Sequence, residues 1–215
     1  AYAVSDGSYK DNRGTSAFLL ESGTGDGRII GMNEIPGAAK DQSPYRSELG
    51  GISGVLATFD CLCRRHQIKT GSITCRLDGF QAMYHASGPD PLDPQRASFD
   101  LLVDIRNKIK SSPITWKFLW VEGHQQERHG EEDVWGKLNN IGDSVAKAFW
   151  AHVDSTRDCS PNHRFGNEGW GVSVQGKKLA KMPMTDLYDS TFGATKSKQY
   201  WSDKHTISAQ IFARI

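Results

Sequence analysis

The sequence predicts an α/β fold: a five-stranded mixed sheet, strands 1–3 antiparallel and strands 4 and 5 parallel, flanked by helices and followed by a small C-terminal extension. Three observations predict it. Three β-rich stretches between residues 2 and 35 are separated only by turns, which makes an antiparallel meander. A long amphipathic stretch then precedes the fourth β-rich run, and a strand that follows a crossover helix lies parallel to the first. The fifth run, from Pro113 to Val121, again follows a helical pattern.

Residues 2–9 read as strand 1, with Asp6 where the apolar start turns polar, and Lys10 to Gly14 as a turn. Strand 2 covers 15–21 and strand 3 covers 28–35, joined by the Gly-rich loop Ser22 to Gly27. That loop leads into a strand and lacks the Lys-Ser/Thr ending of a P-loop, so it is no phosphate cradle. Ser43-Pro44 starts a helix, a hydroxyl N-cap with proline at the first helical position. Its apolar face is Leu49, Ile52, Leu56 and Phe59, and it runs to about His66. Gly50, Gly51 and Gly54 each cost about 1 kcal/mol inside a helix. Close approach of the helix backbone to the sheet is the return expected for that cost. Strand 4 covers 72–78, a short helix 79–86, a Pro-rich loop 88–94 and a further helix 95–110. Residues 122–134 are charged and without periodicity, which predicts a mobile loop. A last helix is expected over 137–153, with Ile141, Val145, Ala148 and Phe149 toward the core.

The 215 residues fit one domain over 1–154 with an appendage over 155–215. Hydrophobic and charged fractions of 37% and 24% are those of a globular protein, not a disordered one. No apolar run approaches the roughly 18 residues of a membrane span. Four cysteines in a chain of this length make no disulfide framework, so an intracellular setting, cytoplasm or nucleus, is expected. The chain opens on Ala with a candidate site strand at once, which suggests a piece of a longer polypeptide. Residues 1–154 hold 17 Lys/Arg against 20 Asp/Glu, net −3; residues 155–215 hold 9 against 5, net +4. An acidic body with a basic tail fits acids that hold metal and a tail that meets phosphate.

Four acids lie in comparable settings: Asp6 on strand 1, Glu48 on the first long helix, Asp78 at the end of strand 4 and Asp143 on the last helix. Around them stand Ser5-Asp6-Gly7-Ser8, Ser43-x-x-Arg46-x-Glu48-Leu49, Leu77-Asp78-x-x-Gln81-Ala82, Trp120-Val121-x-Gly123-His124 and Asn139-x-x-Gly142-Asp143-x-Val145-Ala146. In this order over residues 3–150, the five motifs resemble type 1 ribonuclease H, most of all the ribonuclease H domains of retroelement reverse transcriptases (LTR retrotransposon or retroviral). The resemblance implies a ribonuclease-H-like fold and a metal-dependent endonuclease that cuts the RNA strand of RNA–DNA hybrids by a two-metal-ion mechanism. It implies two Mg²⁺ ions, with Mn²⁺ substituting, held by Asp6, Glu48, Asp78 and Asp143, and a proton- and product-moving role for His124, which is preferred to its rival His129 in the same loop because Trp-Val-Glu-Gly-His fits the motif. It also implies contact with the hybrid through Gly7, Ser8, Ser43 and Gln81, and a reverse transcriptase domain in the parent polypeptide. Asp133 rivals Asp143 as fourth ligand; Asp143 is preferred because it is expected to start a helix and precedes Val-Ala at the family's spacing.

The chemistry agrees with the resemblance. Two divalent ions about 4 Å apart suit hydrolysis of a phosphodiester, one activating water and one stabilising the leaving oxygen. Mg²⁺ prefers carboxylate oxygen to imidazole or thiolate. A catalytically silent ribonuclease-H-like scaffold is the alternative, against which all four acids being present argues. Cys61-x-Cys63 is poorly spaced for zinc. The basic helical handle of some type 1 enzymes is absent, since 88–112 supplies one helix of mixed charge. In the extension, 169–179 reads as a hairpin about Gln175-Gly176, and 185–201 as an irregular helix. Lys177, Lys178, Lys181, Lys196 and Lys198, interleaved with Trp170, Tyr200 and Trp201, are candidates for a phosphate-tracking surface that replaces the handle.

Overall fold

The first strand turns from apolar to polar at Ser5-Asp6, the second is buried along nearly its whole length, and both run longer than their sequence pattern indicates. In the computed structural model, which describes residues 1–153 with Ser173–Val174 and Lys177–Lys178, β1 spans Tyr2–Lys10 and β2 spans Arg13–Glu21. They meet in a two-residue turn, Asp11-Asn12, whose φ values of 49° and 59° suit the twist of a tight hairpin. Asp6 is therefore mid-strand in β1, not near its end. β3 (Arg28–Glu34) completes the antiparallel meander.

Ser43 caps α1 (Pro44–His66) by accepting the Arg46 N–H at 3.1 Å on its Oγ. The buried face of α1 includes Leu49, Ile52, Val55 and Leu56. A Cβ on Gly50 would stand 2.1 Å from Ile35 Cδ1, which explains the glycine: the helix lies against the sheet where no side chain fits. β4 (Ser72–Leu77) runs parallel to β1, with Tyr2 opposite Thr74 and Val4 opposite Arg76. α2 (Phe80–Ser87), α3 (Phe99–Ser111) and β5 (Thr115–Trp120) follow, β5 parallel to β4. The sheet order is β3-β2-β1-β4-β5. α1, α2 and α3 cover one face around Leu49, Leu77, Leu102 and Ile105. α5 (Val134–Ala148) covers the other around Val4, Leu19 and Leu138.

Three boundaries depart from the sequence pattern for local reasons. α3 starts at Phe99 rather than 95, because Asp93 Oδ1 accepts the Gln95 N–H in a turn and Ser98 is left-handed. The charged loop holds a short helix, α4 (Gln125–His129). α5 begins at Val134, not 137, because Asp133 caps it, Oδ1 accepting the Gly136 N–H at 2.7 Å; it ends at Ala148 and a 3₁₀ turn, Phe149–His152, follows. In the extension β6 (Ser173–Val174) and β7 (Lys177–Lys178) pair antiparallel, and the rest of the hairpin expected over 169–179 lies outside the described residues. The helix expected over 185–201 lies outside the described residues, as do Lys181, Lys196, Lys198, Trp170, Tyr200 and Trp201. Among the described residues no helix is long and apolar enough to cross a membrane.

A polar contact crosses the core beside the sheet. Arg46 on α1 and Asp100 on α3 form a buried fork, Nη1 to Oδ1 at 2.8 Å and Nη2 to Oδ2 at 3.0 Å. Arg46 Nε and Nη2 also donate to the Pro36 carbonyl, at 3.0 and 2.8 Å.

Candidate metal centre

Pairing between β1 and β4 stops at Val4 and Arg76, so Asp6 and Asp78 come just beyond the last shared ladder position. Glu48, in the second turn of α1, enters from the helix layer above. Asp6, Glu48 and Asp78 each offer an oxygen within 4.8 Å of the others. Asp6 is 5% exposed, and its Oδ1 accepts the Gly7 N–H at 2.7 Å. The same N–H reaches Glu48 Oε1 at 3.3 Å. Gly7 is required here by close approach: a Cβ would meet the Glu48 nitrogen at 2.5 Å.

Electrostatics make this cluster costly without a cation. Burial, and then the charges of Asp78 and Asp143, push the Asp6 carboxyl up to about 7. Burial, then Asp6 and Asp78, raises Glu48 well above the ordinary range. Asp78 is raised by burial, against hydrogen bonding from Asn139 and the nearby charge of His124. Glu48 Oε2 is buried with no hydrogen-bond partner. An orphaned carboxylate oxygen facing two more carboxylates is a hard-cation donor set, and Mg²⁺ or Mn²⁺ fits it.

The sign of the pH dependence follows. A folded-state value near 7 for Asp6 exceeds that of the unfolded chain, so proton binding favours the fold. That contribution is complete below about pH 4 and is lost as pH rises through about 7. In EDTA the melting temperature should therefore fall between pH 5 and pH 8, and saturating Mg²⁺ should oppose the fall. Thermal melts across that range test it; a pH-independent difference between the EDTA and Mg²⁺ curves would contradict it.

The other predicted residues are placed as follows. Asp143 lies in the third turn of α5, not at its start, so one of the two reasons for preferring it does not hold, while its place before Val145-Ala146 stands. Its charge is nevertheless felt at Asp6 and Asp78, and Gly142 brings α5 close to Asp6, where a Cβ would stand 3.4 Å from Asp6 Cβ. Its Oδ2 accepts a bond from Lys147 Nζ at 2.6 Å, and it stays outside the three converging acids. Asp133 is the residue that starts the helix, and its carboxylate is taken up in capping. Asp133→Ala should lower stability by about 1 kcal/mol, the value of a cap, and spare catalysis. Asp143→Asn should do the reverse, since its exposed pair with Lys147 contributes little. Melting curves beside cleavage rates separate the two, and activity lost with Asp133 alone would reverse the assignment.

His124 is exposed and left-handed (φ 54°) at the start of α4, where its side chain makes no capping bond, with Nδ1 3.7 Å from Glu127 Oε1. Ser8 Oγ accepts the Trp150 indole N–H at 3.2 Å, Ser43 Oγ is occupied in capping α1, and Gln81 is exposed on α2. Sequence reasoning gave no role to Asn139, which is 2% exposed and bonds Asp78. The available signal was a polar residue one turn before Asp143 on a helix face otherwise filled by Leu138, Gly142 and Ala146.

The strand order, the change from antiparallel to parallel and the helices on both faces define a ribonuclease-H-like fold. Among solved structures the chain is similar to LC11-RNase H1, isolated from compost by a metagenomic approach and solved in complex with an RNA/DNA hybrid. The TM-score is 0.50 at 9% identity, covering 68% of this chain and 94% of that one. It is also similar to RNase H1 from the halophilic archaeon Halobacterium salinarum NRC-1, with a TM-score of 0.48 at 17% identity, over 71% of this chain and 98% of that one. At these identities the likeness is one of fold. No protein-family model and no curated protein matches the chain.

Proposed function

We propose that the protein is a divalent-metal-dependent endonuclease that hydrolyses the RNA strand of RNA–DNA hybrids. The observation that carries this reading is the convergence of Asp6, Glu48 and Asp78 from a strand, a helix and a second strand, with one Glu48 oxygen left unpartnered. The complex of LC11-RNase H1 with an RNA/DNA hybrid supports the choice of substrate. The motif resemblance extends it to a domain of a retroelement polyprotein, alongside a reverse transcriptase domain.

In this reading Asp6, Glu48 and Asp78, with Asp143, hold two Mg²⁺ ions, or Mn²⁺, which when bound activate water and stabilise the leaving oxygen. The chain's own residues do the rest. The Gly7 N–H holds the carboxylates of Asp6 and Glu48 in register. Asn139 bonds Asp78 and opposes the rise that burial imposes on its carboxyl. Gly123 lets the loop after β5 lie against Asp78, where a Cβ would stand 2.3 Å from Oδ2. That approach brings His124, exposed at the mouth, to accept or deliver a proton. Gln81, exposed on α2, reads the ribose 2′-OH, the group that tells RNA from DNA. The resemblance adds Gly7, Ser8 and Ser43 as contacts to the hybrid, each already committed to a bond within the fold.

The test is cleavage by the full chain of a labelled RNA in a hybrid, in single strands, in duplex RNA and opposite no complement, with duplex DNA alongside. Only the hybrid should be cut, and only with Mg²⁺ or Mn²⁺. No cleavage of any substrate with either ion defeats the nuclease reading in favour of a silent scaffold.

A further inference from the structure

Three large aromatic side chains beside the acid cluster stay about half exposed. Phe80 is 57% exposed, Tyr84 44% and Trp120 47%. None of them joins the hydrophobic clusters of the core. Exposed aromatics on two adjoining elements call for a ligand more than a scattered apolar residue does.

Their polar groups are already engaged. The Trp120 indole N–H and the Phe80 backbone N–H both donate to the carbonyl oxygen of Asp78, at 3.0 and 2.9 Å. The residue that sends its carboxylate into the metal centre thus holds the indole with its main chain. Phe80 and Tyr84 lie one turn apart on α2, their ring centroids 6.4 Å apart and their planes 16° from parallel. The Tyr84 hydroxyl is held by Asp90 Oδ2 at 2.7 Å. Beyond Tyr84 stand two guanidinium groups. Arg96 contacts the His85 ring and Arg106 donates to the His85 carbonyl, so the aromatic track ends in positive charge. The surface runs from Asp78 outward as rigid rings and then cations.

We propose that Phe80, Tyr84 and Trp120 form a stacking platform for unpaired bases, so that the preferred substrate is a hybrid with a single-stranded segment next to the site of cleavage. The proposal rests on the nuclease reading above and specifies its substrate class. Inside a duplex both faces of every base are covered by neighbours, and a protein reaches only edges, sugars and phosphates. Unstacked bases alone offer a face to an aromatic ring, and every base has one. Arg96 and Arg106 would then meet the phosphates of the same strand.

The experiment uses the full chain in EDTA, where binding is read without cleavage, and three fluorescent probes. One is a blunt hybrid, one carries a five-nucleotide RNA overhang, and one carries the same overhang in DNA. At least one overhang probe should bind about tenfold tighter than the blunt hybrid, the worth of one to two stacked bases. A double variant, Phe80→Leu with Tyr84→Leu, keeps apolar bulk and should melt as the parent does while losing most of that preference. Equal affinity for all three probes, no measurable binding, or a preference kept by the leucine variant would overturn the platform. Cleavage of the blunt hybrid with Mg²⁺ is scored separately. Overhang preference without cleavage supports the platform and sinks the nuclease reading; cleavage without preference does the opposite.

Discussion

Asp6→Asn should lower Mg²⁺-dependent cleavage of a hybrid by about a thousandfold or more, while the metal-free protein becomes more stable at pH 8. The two effects have one cause. Asp6 is buried at the centre of the acids, and its carboxyl is raised to about 7 by burial and then by the charges of Asp78 and Asp143. At pH 8 it is ionised at a cost to the fold, and an amide of the same shape carries no charge. The cation that makes the charge useful loses its central ligand, and removal of one electrostatic group from such a site typically costs 10² to 10³ in rate, more where groups act as a unit. The check is a rate assay beside melts in EDTA and in Mg²⁺. The variant should melt higher than the parent in EDTA and gain little from Mg²⁺. A variant that cleaves at a tenth of the parent rate would remove Asp6 from the reaction. One that melts lower in EDTA would show the acid to be a structural hydrogen-bond acceptor.

Arg46→Ala should be the most destabilising single change in the protein, by about 3–5 kcal/mol, with a melting temperature lower by roughly 10 °C. The substitution leaves the Asp100 carboxylate buried against α1 and removes both bonds to the Pro36 carbonyl. Arg46→Lys should recover little, because an ammonium cannot make a fork and serve the carbonyl at once. Arg46→Met combined with Asp100→Leu should recover much of the loss, since a well-packed apolar pair avoids the desolvation of two charges. Denaturant melts of the four proteins form the cycle. If Arg46→Ala costs under 1 kcal/mol, the pair is ornamental. Because Glu48 lies two residues further along α1, activity should fall with stability in this series, and Mg²⁺ should restore part of both.

How far the sequence reached depended on how local the determinant was. The start of α1 was legible because Ser43-Pro44 specifies it within two residues, and the strand directions because short turns and long crossovers leave few alternatives. The α5 boundary was misread because the cap, Asp133, sits in a run of acids where one capping carboxylate looks like its neighbours. That misreading also removed one of the two reasons given for Asp143. The three converging acids were legible from their motifs. Which hydroxyls would be used up inside the fold was not, because the partner of Ser8 is Trp150, at the far end of the domain. Trp120 shows the same limit. Its place in a motif was plain, but the exposure of its ring depends on what covers the end of β5, which no local pattern records.

Tyr2 pairs with Thr74 in the parallel ladder, and the acids at the end of that ladder meet only when it has formed. Closing such a long loop is slow, and the contact that rewards it comes late in folding. A chain still on its way to the native state has no cation site to offer, so divalent ions cannot act as a template for this fold. They enter a finished structure, and their stabilisation should appear as slower unfolding with an unchanged rate of folding. On the nuclease reading proposed above, that order has a consequence. The chain would gain the power to cut nucleic acid only after the sheet is complete.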